Sequence, residues 1–171
     1  MEKEIVNKVA NSGLINLDLA EFYPKGERVV YDIKQNLWQE FVLKEKDFRL
    51  FVKENDWSIY EGKYVALINS TDAIVPSWAY MVLTDALEPF AKEVVCGNLD
   101  SLESTIFIQS LEKNLNPEKF KDQRVIIKGC GEIPIHDSAY AKAVNLLKPV
   151  VKSLMYGEAC SAVPVYKKKN K

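Results

Sequence analysis

Four short runs of apolar residues form a clear pattern in this chain, and longer segments with helical signals lie around them: a partly amphipathic face in the first segment, and proline or capping residues at the start of the others. The runs predict buried strands at Tyr64–Ile68, Glu93–Cys96, 125–128 and Ser153–Tyr156. The other segments predict helices over residues 46–55, 76–90, 100–114 and 137–147. Because strands that alternate with helices pair in parallel through right-handed crossovers, this order favours an α/β fold.

The second half of this pattern copies the first half at a spacing of sixty residues. Three identities at this spacing are Tyr80 with Tyr140, Pro89 with Pro149, and Gly97 with Gly157. Such an echo indicates one supersecondary unit built twice, here over residues of about 46–98 and 100–158. We therefore expect a three-layer α/β sandwich whose largely parallel sheet is built from a duplicated strand-helix-strand unit.

The segments before and after the repeat predict smaller features. Residues 3–10 predict a short helix. Residues 28–33 and 37–43 predict two antiparallel strands joined by a turn, and so an N-terminal β-hairpin. The lysine run within residues 159–171 predicts a basic, solvated tail. A length of 171 residues suits one domain, which we place over residues 1–171.

The composition argues against several classes of partner. The formal net charge is −1, so no overall charge attracts nucleic acid or an anionic membrane. The first residues lack the apolar stretch of a signal peptide, and no apolar run is long enough to span a membrane. The three cysteines have no framework spacing, which favours a reducing compartment over a disulfide scaffold. We expect a cytoplasmic protein that acts with protein partners or as a homodimer.

Acidic residues follow several of the predicted strands. In open α/β sheets, ligands bind outside the carboxyl ends of the strands. Asp72 and Glu132 occupy the same position in the two repeat units, and Glu158 follows the last predicted strand. Paired carboxylates can bind a cation or share a proton, which makes these three residues candidates for ligand binding. The alternative is that they are solvated loop carboxylates.

The cysteines fall at the same predicted edge. Cys130 lies between two glycines, and Cys160 follows the last predicted strand. A thiolate is both a nucleophile and a soft metal ligand, so Cys130 and Cys160 are the candidate catalytic residues. With His136 they could hold zinc or an iron–sulfur cluster as a cofactor, although no Cys-x-x-Cys spacing is present. The alternative is that Cys96 packs as a small apolar residue and His136 caps a helix.

Several longer stretches are characteristic of one family. They are Gly-Leu-Ile-Asn-Leu at 13–17, Phe-Tyr-Pro-Lys-Gly-Glu at 22–27, Leu-Lys-Glu-Lys-Asp-Phe-Arg at 43–49, Lys-Tyr-Val-Ala-Leu at 63–67, Ile-Lys-Gly-Cys at 127–130, Ser-Ala-Tyr at 138–140 and Lys-Ser-Leu-Met-Tyr-Gly-Glu-Ala-Cys-Ser-Ala-Val-Pro at 152–164. Over nearly the whole chain they resemble a bacterial family, domain of unknown function 2480. The resemblance implies no established activity. It implies an association with iron–sulfur cluster assembly, and it carries over Cys130 and Cys160 as the residues of two cysteine motifs.

Three functions are compatible with these residues, and the sequence leaves open whether the protein is an enzyme. The first is a cytosolic accessory protein of sulfur or iron–sulfur metabolism, with a thiol-based site at the carboxyl edge of the sheet. The second is a non-catalytic interaction module or homodimeric scaffold in which the cysteines only pack. The third is a small-ligand enzyme that uses a cleft at the strand ends, which requires a well-formed pocket with convergent polar groups.

Overall fold

A computed structural model describes residues 13–128, 131–158 and 160–169. Its strands are β1 (Leu14–Leu17), β2 (Arg28–Asp32), β3 (Tyr64–Ile68), β4 (Glu93–Cys96), β5 (Arg124–Ile127), β6 (Ser153–Tyr156) and β7 (Val163–Lys167). Its α-helices are α1 (Glu45–Glu54), α2 (Ser77–Leu87), α3 (Leu99–Asn114) and α4 (Asp137–Leu147). The helix predicted over residues 3–10 lies outside the described residues.

The strands form two sheets, which confirms the α/β class and the largely parallel pairing. One sheet has the order β2-β3-β4 and is parallel throughout. The other has the order β1-β5-β6-β7, in which only β7 is antiparallel to its neighbour. The four strands of the repeat thus divide between two sheets instead of joining in one. Each pair also gains a strand from the N-terminal part of the chain, β2 beside β3 and β1 beside β5.

The chain separates into two compact units that correspond to these sheets. The central unit is Pro24–Ile106 and contains β2, β3 and β4. The terminal unit is Met1–Tyr23 with Phe107–Lys171 and contains the other four strands. Helix α3 contributes its first half to the central unit and its second half to the terminal unit.

Helices cover both faces of the sheet in the central unit. Successive side chains of a strand point to opposite faces. Val65 and Leu67 of β3 pack in one cluster with residues of α1 and α2, such as Phe48 and Leu83. Ala66, between them, packs in another cluster with residues of α3. Because β3 is buried on both faces, its sequence is a continuous apolar run without polar alternation.

The core of the terminal unit lies between its sheet and two helical segments. Val125 and Leu154 of the sheet cluster with Phe107 from the second half of α3 and with α4. Helix α4 contributes Ala139 and Ala143, both fully buried. Alanine at these positions lets the helix backbone approach the sheet closely, so a larger residue would push the helix outwards.

The repeat is visible in the boundaries of the elements. Helices α2 and α4, and strands β4 and β6, are each separated by sixty residues, and so are the 3₁₀ helices Trp57–Tyr60 and Pro117–Phe120. The repeated unit also includes a leading strand, β2 in one copy and β1 in the other. Strand β2 ends at Asp32, and Asp18 directly follows β1. Each aspartate carboxylate accepts the backbone N–H two residues later, at 3.0 Å for Asp32 and 2.9 Å for Asp18. The duplicated unit is therefore longer than the spacing of sixty residues indicates.

The predicted N-terminal hairpin is present as a short reversal, in which Trp38 and Val42 form a single antiparallel bridge. Its first strand, β2, pairs in parallel with β3 instead of with the reversal. After β2 the chain turns into the 3₁₀ helix Ile33–Asn36. The carboxylate of Asp32 caps that helix, which directs the chain out of the sheet at this point.

Strand β7 lies in the segment that the sequence predicts as a solvated tail. It pairs with β6, and Lys168 N–H continues the contact by donating to Lys152 O at 2.9 Å. Tyr166 packs against the buried core of the terminal unit, which explains why the segment is ordered. Pro164 lacks an N–H, and it is tolerated because β7 is an edge strand with a register irregularity opposite it.

None of the helices in the described part of the chain has the length and apolar character that a bilayer-spanning segment requires.

Candidate functional site

Each unit has a cleft at the carboxyl ends of its parallel strands, where α/β proteins bind ligands. The terminal-unit cleft has a volume of about 400 Å³, and Asp18, Lys128, Tyr140 and Tyr156 are among the residues that line it. The central-unit cleft has a volume of about 460 Å³, and Asn69, Tyr80, Cys96, Asn98 and Ser101 are among its lining residues. Tyr80 and Tyr140 occupy equivalent positions of the repeat. The two clefts are therefore copies of one structural feature, and apart from this tyrosine their polar lining residues differ.

An ion pair lies across the strand ends of the terminal-unit cleft. Because β1 and β5 run in parallel with Leu17 opposite Ile127, the residues that follow them are adjacent. Lys128 Nζ lies 3.3 Å from Asp18 Oδ2, while Asp18 Oδ1 accepts the Ala20 N–H at 2.9 Å. The side chains of Lys128 and Asp18 remain 43% and 32% exposed. An ion pair this exposed contributes at most about 1 kcal/mol to folding, so it can open at little cost.

Two tyrosines form the aromatic wall of the same cleft. Tyr140 of α4 meets Tyr156 at the end of β6 edge to face, with ring centroids 5.5 Å apart and planes at 84°. Ile135 and Asp137 continue the lining where α4 begins. The cleft thus combines an apolar, aromatic face with two carboxylates and one ammonium group.

The central-unit cleft lacks this ion pair. Asp32 corresponds to Asp18, but Ile68 stands where the terminal unit has Lys128. The Asp32 carboxylate instead accepts N–H bonds from Lys34 at 3.0 Å and Ser70 at 3.2 Å. Partial burial raises the pKa of Asp32, but the hydrogen bonds from Ser70 and Lys34 outweigh it and hold that pKa below its ordinary value. Asp32 therefore stays ionised and serves the local fold.

A phenol and a thiol face the central-unit cleft. Burial raises the pKa of Tyr80, and at a pH high enough to ionise Cys96 the nearby thiolate of Cys96 and the carboxylate of Asp32 add to this effect. Cys96 is an exposed residue, and the partial burial of its thiol raises the thiol's pKa. Both groups consequently keep their protons at neutral pH. Cys96 is not the low-pKa thiol that nucleophilic chemistry requires.

The predicted catalytic and ligand-binding residues occupy exposed positions or lie outside the description. Cys130 is outside the described residues. Cys160 is exposed, in a turn that Ser161 N–H closes on Glu158 O at 2.9 Å. The carboxylates Asp72, Glu132 and Glu158 are all exposed loop residues, and none is among the residues that line the two clefts. Their roles remain predictions.

His136 has a structural task at the start of α4. Its Nδ1 accepts the Ser138 N–H at 3.1 Å and lies 2.7 Å from Ser138 Oγ, so it caps the helix. No group of three or more His, Cys, Asp or Glu side chains that could hold a metal is found within residues 13–128, 131–158 and 160–169. Because Cys130 is outside this part, the predicted metal site with Cys130, Cys160 and His136 remains a prediction.

The residues that define the terminal-unit cleft do not stand out in the sequence as site residues. Tyr140 stands out only as an identity of the repeat, and Asp18 and Lys128 belong to no recognisable binding or catalytic motif. One signal was present: Asp18 and Asp32 each stand between apolar residues, in Leu-Asp-Leu and Tyr-Asp-Ile. This shared pattern marks the two strand ends that carry the aspartates.

The chain matches one family model, described as "Protein of unknown function (DUF2480)", over residues 3–168. Since the match covers most of the chain, the protein belongs to this family. No curated protein and no solved structure matches the chain.

Proposed function

We propose, since the family to which the chain belongs has no assigned activity, that the protein binds a small organic ligand in the terminal-unit cleft. The observation that supports this proposal is the convergence of the Asp18–Lys128 ion pair with the Tyr140–Tyr156 wall around about 400 Å³ of space. Pockets of a few hundred Å³, with an apolar wall and a small number of oriented polar groups, are typical of small-molecule sites.

The charges of the cleft favour a zwitterionic ligand. A ligand carboxylate can take the place of Asp18 on Lys128, and a ligand ammonium group can then pair with Asp18. Asp137 lies at the same cleft and adds a second negative charge for the ammonium group. The tyrosine wall suits a flat or apolar body, because aromatic faces bury apolar area and attract cations. A free amino acid with an aromatic side chain has all of these features.

Lys128→Met is expected to weaken the binding of L-phenylalanine by about tenfold or more, because it removes a charge-assisted hydrogen bond. Binding of L-phenylalaninamide, which has no carboxylate, should change little. N-acetyl-L-phenylalanine lacks the ammonium group and should bind the wild-type protein more weakly than L-phenylalanine. Titration calorimetry or ligand-detected NMR measures all three probes.

Lys152→Met is the matched control, since Lys152 is an exposed lysine of the same unit and does not line the cleft. It should leave the affinity for L-phenylalanine unchanged. The proposal is wrong if none of the three probes binds saturably, or if the two lysine variants affect binding equally.

A second candidate is a thiol-based accessory function in sulfur or iron–sulfur metabolism. It is supported by the position of the thiols in the chain: Cys160 is exposed and follows Tyr156 by four residues, and Cys130 precedes Gly131. Tyr156 and Gly131 both line the terminal-unit cleft. A cytoplasmic location would keep such thiols reduced. A protein of this kind would pass its metal, cluster or sulfane sulfur to a protein partner.

Untagged protein purified without oxygen is expected, on this second candidate, to contain iron, zinc or labile sulfur in stoichiometric amount. Cys130→Ala and Cys160→Ala should each lose it, because a two-thiol site cannot hold its cargo with one ligand. Cys96→Ala is the control and should retain it. Elemental analysis that finds no metal or sulfur in any of the four proteins would exclude this function.

A further inference from the structure

The central-unit cleft has no part in the function proposed above. It lies at the carboxyl ends of β3 and β4 and beside the start of α3, with a volume of about 460 Å³. This is the same place in the repeat as the terminal-unit cleft. Both copies of the repeat have a cleft at this place, but the polar and charged residues that line the two clefts differ. This difference suggests two sites that bind different ligands.

The polar side chains that line this cleft carry no formal charge. They are Asn69, Tyr80, Cys96, Asn98 and Ser101. The terminal-unit cleft, by contrast, has Asp18, Lys128 and Asp137. A charged ligand in the central-unit cleft would lose hydration without gaining a counter-charge from the lining, which is unfavourable.

Some of these polar groups are already used within the protein. Asn69 Nδ2 donates to Ala73 O at 2.8 Å, and Asn69 Oδ1 accepts the Thr71 N–H at 3.1 Å. Ser101 Oγ donates to Asn98 Oδ1 at 3.0 Å, and Ser101 N–H donates to the same oxygen at 2.9 Å. Asn69 and Ser101 therefore shape the cleft through their internal bonds.

Three hydrogen-bond donors remain available in the cleft. Within the described part of the chain, the Tyr80 hydroxyl, the Cys96 thiol and Asn98 Nδ2 have no hydrogen-bond partner. Burial raises the pKa of Tyr80 and of Cys96, so both stay protonated at neutral pH. The nearby carboxylate of Asp32 makes the cleft unfavourable for an anion. The open donors consequently favour a neutral ligand that accepts hydrogen bonds.

We infer that the central-unit cleft is a second binding site, which takes an uncharged small molecule with a carbonyl or imide acceptor through Tyr80, Cys96 and Asn98. The terminal-unit cleft and this one then bind different chemical classes, one zwitterionic and one neutral. The two sites can be tested separately because they share no residue.

N-ethylmaleimide is a suitable probe, because it is a neutral imide that also reports its position by reacting with a thiol. The cysteine sulfur bonds to a ring carbon, the ring double bond becomes single, and the neighbouring carbon takes up a proton. If the reagent first binds in the cleft, the rate of Cys96 modification should level off as its concentration rises. Cys96 and Cys160 are both exposed, but Cys160 does not line this cleft and should react at a rate linear in concentration. Peptide mass spectrometry separates the two.

Two variants remove one donor each without removing its surroundings. Tyr80→Phe deletes the hydroxyl, and Asn98→Asp deletes the amide donor while keeping the oxygen that caps α3. Each should raise the half-saturating reagent concentration at Cys96 by about fivefold, the usual effect of one lost hydrogen bond. Tyr60→Phe deletes a hydroxyl elsewhere in the same unit and should have no effect.

Two further measurements complete the test. Unreactive succinimide should protect Cys96 and not Cys160, and N-(2-carboxyethyl)maleimide should modify Cys96 without saturation. The inference is overturned if the Cys96 rate is linear in N-ethylmaleimide, if neither variant shifts the half-saturating concentration, or if the carboxylate-bearing reagent saturates equally well.

Discussion

Replacing Phe107 with alanine is expected to lower the free energy of unfolding by about 3–5 kcal/mol, the range found for large aromatic residues in cores. Phe107 is 1% exposed and lies in the core of the terminal unit. Its ring meets Tyr23 edge to face, with centroids 5.7 Å apart and planes at 79°. The substitution removes this contact and leaves a cavity that the neighbouring helix and sheet cannot fill. Urea titration followed by circular dichroism gives the change.

Phe41→Ala is the matched control for this measurement. Phe41 is 73% exposed, so its removal should change the free energy of unfolding by no more than about 0.5 kcal/mol. Phe107→Leu, which keeps much of the volume, should fall between the two. A loss for Phe107→Ala no larger than that for Phe41→Ala would show that the described core is wrong at this position.

Replacing Gly97 with alanine should destabilise the protein by about 2–4 kcal/mol, because strain and overpacking act together. Gly97 has a φ of +147°, a conformation that residues with a side chain rarely adopt. A Cβ at this position would lie 2.8 Å from Ser101 Cβ and 2.9 Å from Ser101 Oγ. The residue joins β4 to α3 at the central-unit cleft, so relief of the clash would displace one wall of that cleft.

The repeat supplies a control for Gly97→Ala. Gly157 is the equivalent residue, with a φ of +107°, but its added Cβ would meet Ser161 O only at 3.8 Å. Gly157→Ala should therefore cost only the backbone strain, about 1–2 kcal/mol. In the background of Ser101→Gly the clash is absent. There, Gly97→Ala should lower the free energy of unfolding only as much as Gly157→Ala does. Equal losses for the two glycine variants would argue against the clash, and denaturant unfolding measures each of them.

The strands of the repeat were predictable because the residues that define each strand lie next to one another in the sequence. Strands β3, β4 and β6 have the predicted boundaries, residue for residue. Each is a short apolar run, and β4 and β6 are followed by Gly97 and Gly157, whose positive φ ends the strand. Helices α2 and α4 also lie within the predicted segments, because Pro76 and the residues Asp137 and Ser138, which are of the types that cap helices, mark where the helices begin.

The assignment of strands to two sheets was not predictable in the same way. Strand β1 pairs with β5, more than a hundred residues later in the chain, and hydrophobic periodicity contains no information about partners at that distance. Strand β7 was missed for a different reason. Pro164 and the lysines that follow are typical of a loop, and only the packing of Tyr166 reveals the strand.

The side chains of the candidate site were also not predictable, because they come together through contacts between distant parts of the chain. The sequence directs attention to cysteines and loop carboxylates because their chemistry is recognisable without a structure. Lys128 and Asp18 form an ion pair only because β1 lies beside β5, so no local sequence motif predicts the pair. The rule that ligands bind at the carboxyl ends of parallel strands does lead to both clefts, but not to the side chains that line them.

The nesting of one unit within the other has a thermodynamic consequence. In the central unit, about thirty residues separate β2 from its neighbour β3, whereas about a hundred separate β1 from its neighbour β5. The entropy lost on closing a loop grows only with the logarithm of its length, by about 0.6 kcal/mol for each doubling. The interruption between β1 and β5 therefore costs the terminal unit only about 1 kcal/mol relative to an uninterrupted copy. A penalty this small explains how a sheet can tolerate an entire folded unit between two of its adjacent strands.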